Sequence, residues 1–569
     1  MAKDKKIAKD NGFFELGVIP GGPFDRFRQL NKVVKLPKES SEYLNDMIRT
    51  YGTDNVINMT EVPAGDYVFN KGILHAANVN VGRSLPWIED GLKSVERRIL
   101  YVMHTKEYYA RKTTKVATVV GDMIAMVYPH GDQGPADAIF RIGRHGSMMI
   151  PYVQELSNYG NMKDLKPAAV RYADTALSQY AMDCFFGEVG PRAPLYDEKD
   201  NYTFQEKEPI FLTSRYPNIL MQWNLGIGKG AMSWLGAFNS TDIFKATLKL
   251  MDDPGAKIEI YPDTPVPLEI INKADLKNCF DRKAFQVKVR SPYHVVTYQR
   301  ISSKNGRPED VHCVIFTALP LGVSGDQIVK EVTGIKLDDA RSKGKSNRFP
   351  EITNIEAVVD EKNPGGIQIM VEYEHGYDPH ALAEKLFRST SLAKTISVKY
   401  NLIFDYKPEL RTPREILLLW INQRYDQKRR YYHQMVLKAA KDRAIYEALA
   451  TILGTKDATD KALGIIRSSN DDDESVAKLR RAFDFTDFQA RVILNYRIKT
   501  LQKLNVKEMI MKRDQAVADY KHYRKLLASE DAIRDAVKDE LREGMQKYGR
   551  ERMAKLMNLS TKSIGEAND

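Results

Sequence analysis

The chain has 569 residues, 43% hydrophobic and 28% charged. That composition excludes a disordered or membrane-embedded chain, and the length exceeds what one core supports, so roughly three or four domains are expected. Lys and Arg number 86 against 75 Asp and Glu, an excess of 11, which suggests either a polyanionic partner or a solvated basic surface.

Residues 1–74 read as an N-terminal arm, mixing charge with Pro/Gly breaks ("VIPGGPFDRF") and one helix over Ser40–Tyr51. They hold no apolar stretch of the kind a secretory signal needs. Residues 75–185 turn helical: "DGLKSVERRILYVMHT", "TTKVATVVGDMIAMVY" and "HGDQGPADAIFRIG". In the second, Val116, Val119, Val120, Met123 and Ile124 recur at helical spacing. Helix, short turn, helix beside a basic segment is the layout of a helix-turn-helix or winged-helix DNA reader. Residues 186–405 alternate strand-like runs ("FQVKVRS", "VHCVIFTALP", "IQIMVEYEH", "ISVKYNLIFDY") with helices in "SGDQIVKEVTG" and "DPHALAEKLFRST", an α+β pattern. From 406 to 548 the chain is helical again. Thr412 is the N-cap, Pro413 opens the helix and Glu415 completes a capping box. The run then continues to Gly454, a rod of roughly 60 Å. A second run over 506–527, with a further helix at 530–548, is expected to return antiparallel. Between them lies a small helical head with an acidic loop at 471–474. Residues 549–569 form a tail. The apolar run Ile416–Ile421 is far below the ~20 residues of a membrane span. Cys184, Cys279 and Cys313 make no metal or disulfide pattern, which fits a reducing cytoplasm.

Chemistry concentrates between residues 83 and 172. Arg83, Lys93, Arg97 and Arg98 fall within sixteen residues. On a helix beginning near Asp90, Lys93 and Arg97 share a face, able to hold phosphates without reading sequence; a solvated helix face has the same pattern. His130-Gly131-Asp132 stands at a helix start, where backbone N–H groups favour an anion. Arg171-Tyr172 lies in "KPAAVRYADTAL", a helix-prone run. A phenol of pKa ~10 is only about one part in a thousand ionised at pH 7. Attack on a phosphodiester would therefore need adjacent positive charge, which Arg171 can supply, and a base or a metal-bound water.

The segments "GRSLPWIEDGLKSVERRILYVM", "VVGDMIAMVYPHGD", "YGNMKDLKPAAVRY" and "YPNILMQWNLGIGKGA" together resemble the breakage–reunion core of type IIA DNA topoisomerases, the A subunit of bacterial gyrase and the C subunit of topoisomerase IV. The likeness runs from about Val81 to Tyr548, and "FTDFQARVILNYRIKTL" resembles the family's segment before the returning arm. It implies a multidomain α+β fold: a winged-helix DNA-gate domain, an α+β tower, and long antiparallel coiled-coil arms with a small C-gate head. By the same resemblance Tyr172 is the nucleophile that joins the 5′ phosphate of a cut strand, and Arg171 is its catalytic partner. Arg83, Lys93, Arg97, Arg98 and His130 contact double-stranded DNA, and Ile227 wedges between base pairs; Lys229, in a stretch more basic than the family's usual one, is read here as a further DNA contact. Gln133 and Asp137 occupy positions of the family's quinolone site. The resemblance further implies a homodimer closed at the DNA gate and the C-gate, in the cytoplasm of a bacterium or a phage-infected host. Mg²⁺ and ATP would be held by a separate B-type subunit.

Departures from the pattern are Tyr128 where relatives carry a first His and Gln133 in place of Ser. "GIGKGA" is not a Walker A loop, because Gly follows Lys229. No acidic metal-binding set, ATPase signature or DNA-wrapping C-terminal domain is read from the sequence, and Asp471–Asp473 are placed in a polar linker. Two rivals stand beside this reading: a DNA clamp of the same fold without chemistry, which would have lost the Arg-Tyr pair, and a tyrosine recombinase, whose nucleophile lies near the C-terminus.

Overall fold

The computed structural model describes residues 72–73, 75–109, 111–164, 166–187, 197–301, 306–334, 349–495 and 506–558. The chain divides into Met1–Asn78 and Val79–Asp569. Nearly all of the first unit, including the helix expected over Ser40–Tyr51, lies outside the described residues, as do 559–569 of the tail.

Three helices open the second unit: α1 (Ser94–Thr105), α2 (Val116–Met126) and α3 (Gln133–Gly143). Val116, Val119, Val120 and Met123 of α2 are buried, as their spacing predicts, against Ile99, Leu100 and Met103 of α1 and Ile139 and Ile142 of α3. A short ribbon, β1 (Thr114–Lys115) against β2 (Asp174–Thr175), is antiparallel. Helix α1 starts four residues later than expected. Gly91 adopts φ +72°, and a Cβ there would stand 2.7 Å from the Cα of Ile219. Lys93 is extended and outside the helix, its N–H donating to Glu96 Oε2 at 3.0 Å.

Two antiparallel hairpins follow, β3 (Glu198–Asp200) with β4 (Lys207–Pro209) and β5 (Asn224–Ile227) with β6 (Met232–Leu235). Helix α4 (Ser240–Asp252) leads to β7 (Glu269–Ile270), β8 (Ala284–Arg290), β9 (Tyr293–Ile301) and β10 (Pro308–Phe316). Then come α5 (Gly325–Thr333), β11 (Ile352–Val359), β12 (Ile367–Tyr373), α6 (Pro379–Ser389), β13 (Ala393–Lys399) and the hairpin β14 (Asn401–Phe404)–β15 (Lys407–Leu410). Strands β9 and β11 add to those the sequence predicts. A six-stranded sheet has the order β16-β7-β8-β13-β6-β5, where β16 (Lys555–Leu556) joins parallel to β7 from the far end of the chain. A second sheet, β11-β12-β10-β9, is wholly antiparallel. It packs with α5 and α6 on its own core, through Phe316, Ile328, Ile369 and Leu386.

Apolar packing does not break at 185 or 405. One core takes Ile99 and Val119 from the first helices, Val287 and Val398 from the six-stranded sheet and Trp420 from the arm. Val537 and Leu541 near the C-terminus belong to it too. The long helix α7 (Pro413–Leu453) has the expected capping box, Thr412 N–H to Glu415 Oε2 at 2.8 Å and Glu415 N–H to Thr412 Oγ1 at 3.1 Å. Helix α11 (Val506–Leu527) runs antiparallel to it: Tyr523 meets Tyr432, Lys512 lies over Tyr446, and Met509 packs with Leu449. Between them α8 (Lys456–Arg467), α9 (Asp472–Phe483) and α10 (Asp487–Leu494) form the head around Leu479 and Ile493. The stretch 471–474 corrects the expected acidic loop. Asp471 is the N-cap of α9, accepting Glu474 N–H at 2.7 Å, and three acids occupy the first turn, where the helix dipole favours negative charge. Helix α12 (Glu530–Tyr548) returns to the main core.

Candidate nucleic-acid interface

Residues 169–173 form a turn, which corrects the helix read for "KPAAVRYADTAL". Its backbone groups are committed elsewhere: Ala117 N–H donates to the Val170 carbonyl at 3.1 Å and Val116 N–H to that of Ala173 at 2.9 Å. The turn thus satisfies donors that the first turn of α2 would otherwise leave unpaired. Within it Tyr172 N–H donates to Ala169 O at 2.8 Å. Lys115 Nζ reaches Tyr172 O at 3.2 Å and Asp174 Oδ2 at 2.8 Å. The backbone is held at three points while the side chain projects: Tyr172 is 63% exposed, more than Tyr377 or Tyr406. The Arg171 guanidinium stands 4.8 Å from the Tyr172 ring centroid. By contrast, burial raises the phenols of Tyr152, Tyr180 and Tyr400 well above their ordinary value.

The four clustered cations do not share a surface. Arg97 is 4% exposed. It donates Nε to Asp90 Oδ2 at 2.6 Å, and Nη2 to both Asp90 Oδ1 and the Leu92 carbonyl at 3.1 Å. Asp90 also accepts the N–H groups of Leu92 and Leu212, at 3.0 Å each. The pair is an internal staple, and the phosphate contact expected of Arg97 has no exposed guanidinium to make it. Arg98 is half-buried and bidentate on Glu208, at 2.7 and 2.8 Å. Lys93 is half-buried and donates to the Leu225 carbonyl. Burial, assisted by the charge of Arg141 and opposed by Glu96, brings its ammonium down to about 8. Arg83 remains on the surface, with Nη2 2.6 Å from Nε2 of His130. His130 sits in the exposed turn before α3. Partial desolvation, then the charges of Arg83 and Arg98, hold its imidazole below the ordinary value. On α3 itself Gln133 Nε2 donates to Asp137 Oδ1 at 2.7 Å, with both side chains exposed.

Ile227 stands at the end of β5 with 72% of its surface exposed, opposite Met232, which is also exposed. The hairpin beneath it is lashed to the Arg83 segment. Asn80, itself buried, accepts Lys229 N–H at 2.8 Å and donates to Lys229 O at 3.0 Å. Glycine is required where the strands meet: a Cβ on Gly226 would lie 2.1 Å from Ser84 O, and one on Gly228 2.1 Å from Asn80 Oδ1. The backbone of Lys229 is therefore clamped while its side chain is exposed. Sequence reasoning missed Asn80 and Lys115. Neither carries a motif, and each acts on a residue far along the chain.

Among the described residues, no three His, Cys, Asp or Glu side chains come together as a metal site, and Asp174, two residues from Tyr172, is engaged by Lys115. The donor set here does not fit a resident divalent cation. No helix of the described residues is long and apolar enough to cross a membrane.

The fold and its surface define a class: a large α+β protein with an Arg-Tyr turn, an Arg-His pair and a bare isoleucine mounted on buried scaffolding, and a long two-helix arm. The family model for the A subunit of DNA gyrase/topoisomerase IV matches residues 83–542, and the chain belongs to that family. It is 26% identical over 505 residues to the A subunit of DNA gyrase from Kosmotoga olearia, covering 86% of this chain and 58% of that protein. The A subunit of DNA topoisomerase 4 from Haemophilus influenzae is 27% identical over 525 residues, with 90% and 66% covered. For the A subunit of DNA gyrase from Metamycoplasma arthritidis the identity is 27% over 493 residues, with 85% and 52% covered. The chain thus spans between about half and two thirds of the relatives it matches.

Proposed function

We propose that this chain is the DNA-cleaving and religating subunit of a type IIA topoisomerase. The Tyr172 phenol oxygen attacks a backbone phosphorus, the 3′ oxygen departs as a hydroxyl after taking up a proton, and a 5′-phosphotyrosyl ester holds the cut end. Attack by that 3′ hydroxyl restores the strand and returns the proton to Tyr172. Arg171 places positive charge beside the phosphorus as charge develops there. The observation that carries the reading is the Tyr172 phenol, exposed beside Arg171 on a turn whose backbone is hydrogen-bonded to the start of α2 and to Lys115. Family membership supports the same reaction class.

In this reading α1–α3 with their ribbon act as the winged-helix DNA gate, the two sheets as the tower, and α7 with α11 as coiled-coil arms. The head of α8–α10 would close the C-gate in a homodimer. Mg²⁺ and ATP belong to a separate B-type subunit, and no step is assigned to a metal on this chain. Tyr172→Phe is expected to abolish covalent DNA capture, at least 1,000-fold on the order of a lost nucleophile, while leaving duplex binding unchanged. SDS trapping with peptide mapping tests this, and covalent DNA on any other tyrosine overturns it. A mixture of wild type and partner that binds DNA yet traps none of it covalently would favour the non-catalytic clamp.

A further inference from the structure

We propose that His312 and His375 form a binding site for a late first-row divalent metal ion, of which Zn²⁺ is the type. The site belongs to the four-stranded sheet and uses no residue assigned to the phosphoryl step.

His312 lies on β10, with Thr297 of β9 and Tyr373 of β12 directly opposite it, one on each side. Its Nε2 stands 3.1 Å from Nδ1 of His375, and its Nδ1 stands 3.0 Å from Thr297 Oγ1. The two imidazole centroids are 5.2 Å apart, and the Tyr373 ring backs that of His312 at 5.8 Å. His375 comes two residues after the end of β12, in the turn that leads to α6. Backbone bonds fix this turn: Glu374 N–H donates to Glu351 O at 3.0 Å and Tyr377 N–H to Glu374 O at 3.4 Å. Between them Gly376 turns the chain at φ +96°. Two histidines 63 residues apart in sequence are thus brought together on a hydrogen-bonded frame, which is the preorganisation a ligand set needs.

The spacing suits a shared ion. Two nitrogens bound to one tetrahedral Zn²⁺ at roughly 2.0–2.1 Å stand about 3.3 Å apart. Without metal, one ring donates an N–H to the other; with the His375 proton on Nε2 instead, both facing nitrogens offer lone pairs. Thr297 supplies the outer support that metal-bound imidazoles commonly have. By accepting Nδ1–H of His312 it leaves the lone pair of that ring on Nε2, the atom that faces His375. Imidazole suits Zn²⁺, Ni²⁺ and Cu²⁺, whereas Mg²⁺ takes oxygen ligands. The pair therefore does not duplicate the Mg²⁺ requirement of strand cleavage. Among the described residues no third His, Cys, Asp or Glu joins it, so water completes the coordination on the exposed side of His375. A bound ion would cross-link β10 to the turn before α6.

The test titrates Zn²⁺ into the full metal-stripped chain, without DNA or partner, in competition with a chromophoric chelator. The expected result is a saturable site whose affinity falls by roughly tenfold or more in His312→Ala and in His375→Asn. Thr297→Val keeps both ligands and should weaken binding by about tenfold through the lost outer support. Excess Mg²⁺ should leave the Zn²⁺ in place. Zn²⁺ should also raise the thermal-unfolding midpoint of the wild type, because it binds the folded chain, and leave that of His375→Asn unmoved. His375 is exposed on a turn, so this variant carries the test even where His312→Ala does not fold. The proposal is overturned by a wild type with no saturable Zn²⁺ binding, by an unaltered affinity in His375→Asn, or by release of Zn²⁺ to Mg²⁺. Each of these would leave the rings a hydrogen-bonded pair only. Strand cleavage enters none of these readouts, so the topoisomerase reading stands or falls separately.

Discussion

Two arginines fourteen residues apart have opposite fates, and the difference is measurable. Arg83 is on the surface against His130, whereas Arg97 is buried on Asp90. Each phosphate contact contributes ~0.9 to the slope of log K against log [salt]. Arg83→Ala should therefore flatten that slope by about 0.9 per protomer. Arg97→Ala should leave the slope unchanged and destabilise the fold instead, by about 3–5 kcal/mol, because it strips a buried carboxylate of its charge partner. Salt titrations of duplex binding alongside thermal unfolding separate the two. His130 gives a pH signature. Its imidazole is held below the ordinary 6.5 by desolvation and by Arg83 and Arg98, and a bound phosphate favours the protonated form. Between the free and the DNA-bound pKa values the complex holds more protons than the free protein, so affinity rises as pH falls through that window. His130→Gln should remove this dependence, read as duplex affinity measured across a pH series. Arg97 also shows why charge clustering misleads. The i, i+4 argument requires a helix from Asp90, and the positive φ of Gly91 delays the helix to Ser94.

At the scale of elements, the hairpin β5–β6 stands or falls by Asn80. Its two hydrogen bonds to Lys229 cross 149 residues of sequence. At about 1 kcal/mol each, losing both through Asn80→Ala should raise hydrogen exchange at the Lys229 amide by roughly 10- to 100-fold. It should also straighten gate DNA in a bend-sensitive FRET assay, as Ile227→Ala should, with the salt slope unmoved in both because neither change removes a charge. The arm has a comparable keystone. Glu540 of α12 accepts Arg424 Nη2 at 2.7 Å and Nε at 3.1 Å and also pairs with Lys428, all three side chains being buried. Glu540→Ala removes the carboxylate that both cations bind, and should cost about 3–5 kcal/mol, read as a lowered midpoint of thermal unfolding. What could be read in advance at this scale was local. The capping box of Thr412 and the apolar period of Val116–Met123 involve residues three and four apart, so the sequence displays them. The turn of Tyr172 was misread as helix because its deciding hydrogen bonds go to Val116 and Ala117, more than fifty residues away.

For the molecule as a whole, the order of elements was legible because each change in apolar period coincides with a change of structure. The packing between them was not. One core joins Ile99, Val398, Trp420 and Leu541, and β16 closes the six-stranded sheet beside a strand about 286 residues earlier, associations that leave no mark on composition. Ala173, beside Tyr172, and Trp420, at the root of the arm, belong to that same core. The phenol of Tyr172 and the guanidinium of Arg171 are mounted together, yet the nearby Asp174 is occupied by Lys115 and the described residues bring no three metal-binding side chains together. A phosphoryl step that relies on a metal ion needs carboxylates to hold it. The purified chain should therefore bind duplex with a steep salt dependence and leave it intact at any Mg²⁺ or ATP concentration. Adding the B-type subunit should yield covalent DNA–Tyr172 adducts that vanish with EDTA and re-form on restoring Mg²⁺. Comparing each polypeptide by itself with the mixture, on supercoiled plasmid, checks this. Mg²⁺-dependent nicking by the chain alone, lost in Tyr172→Phe, would place a metal-binding set within this polypeptide and overturn the division of labour.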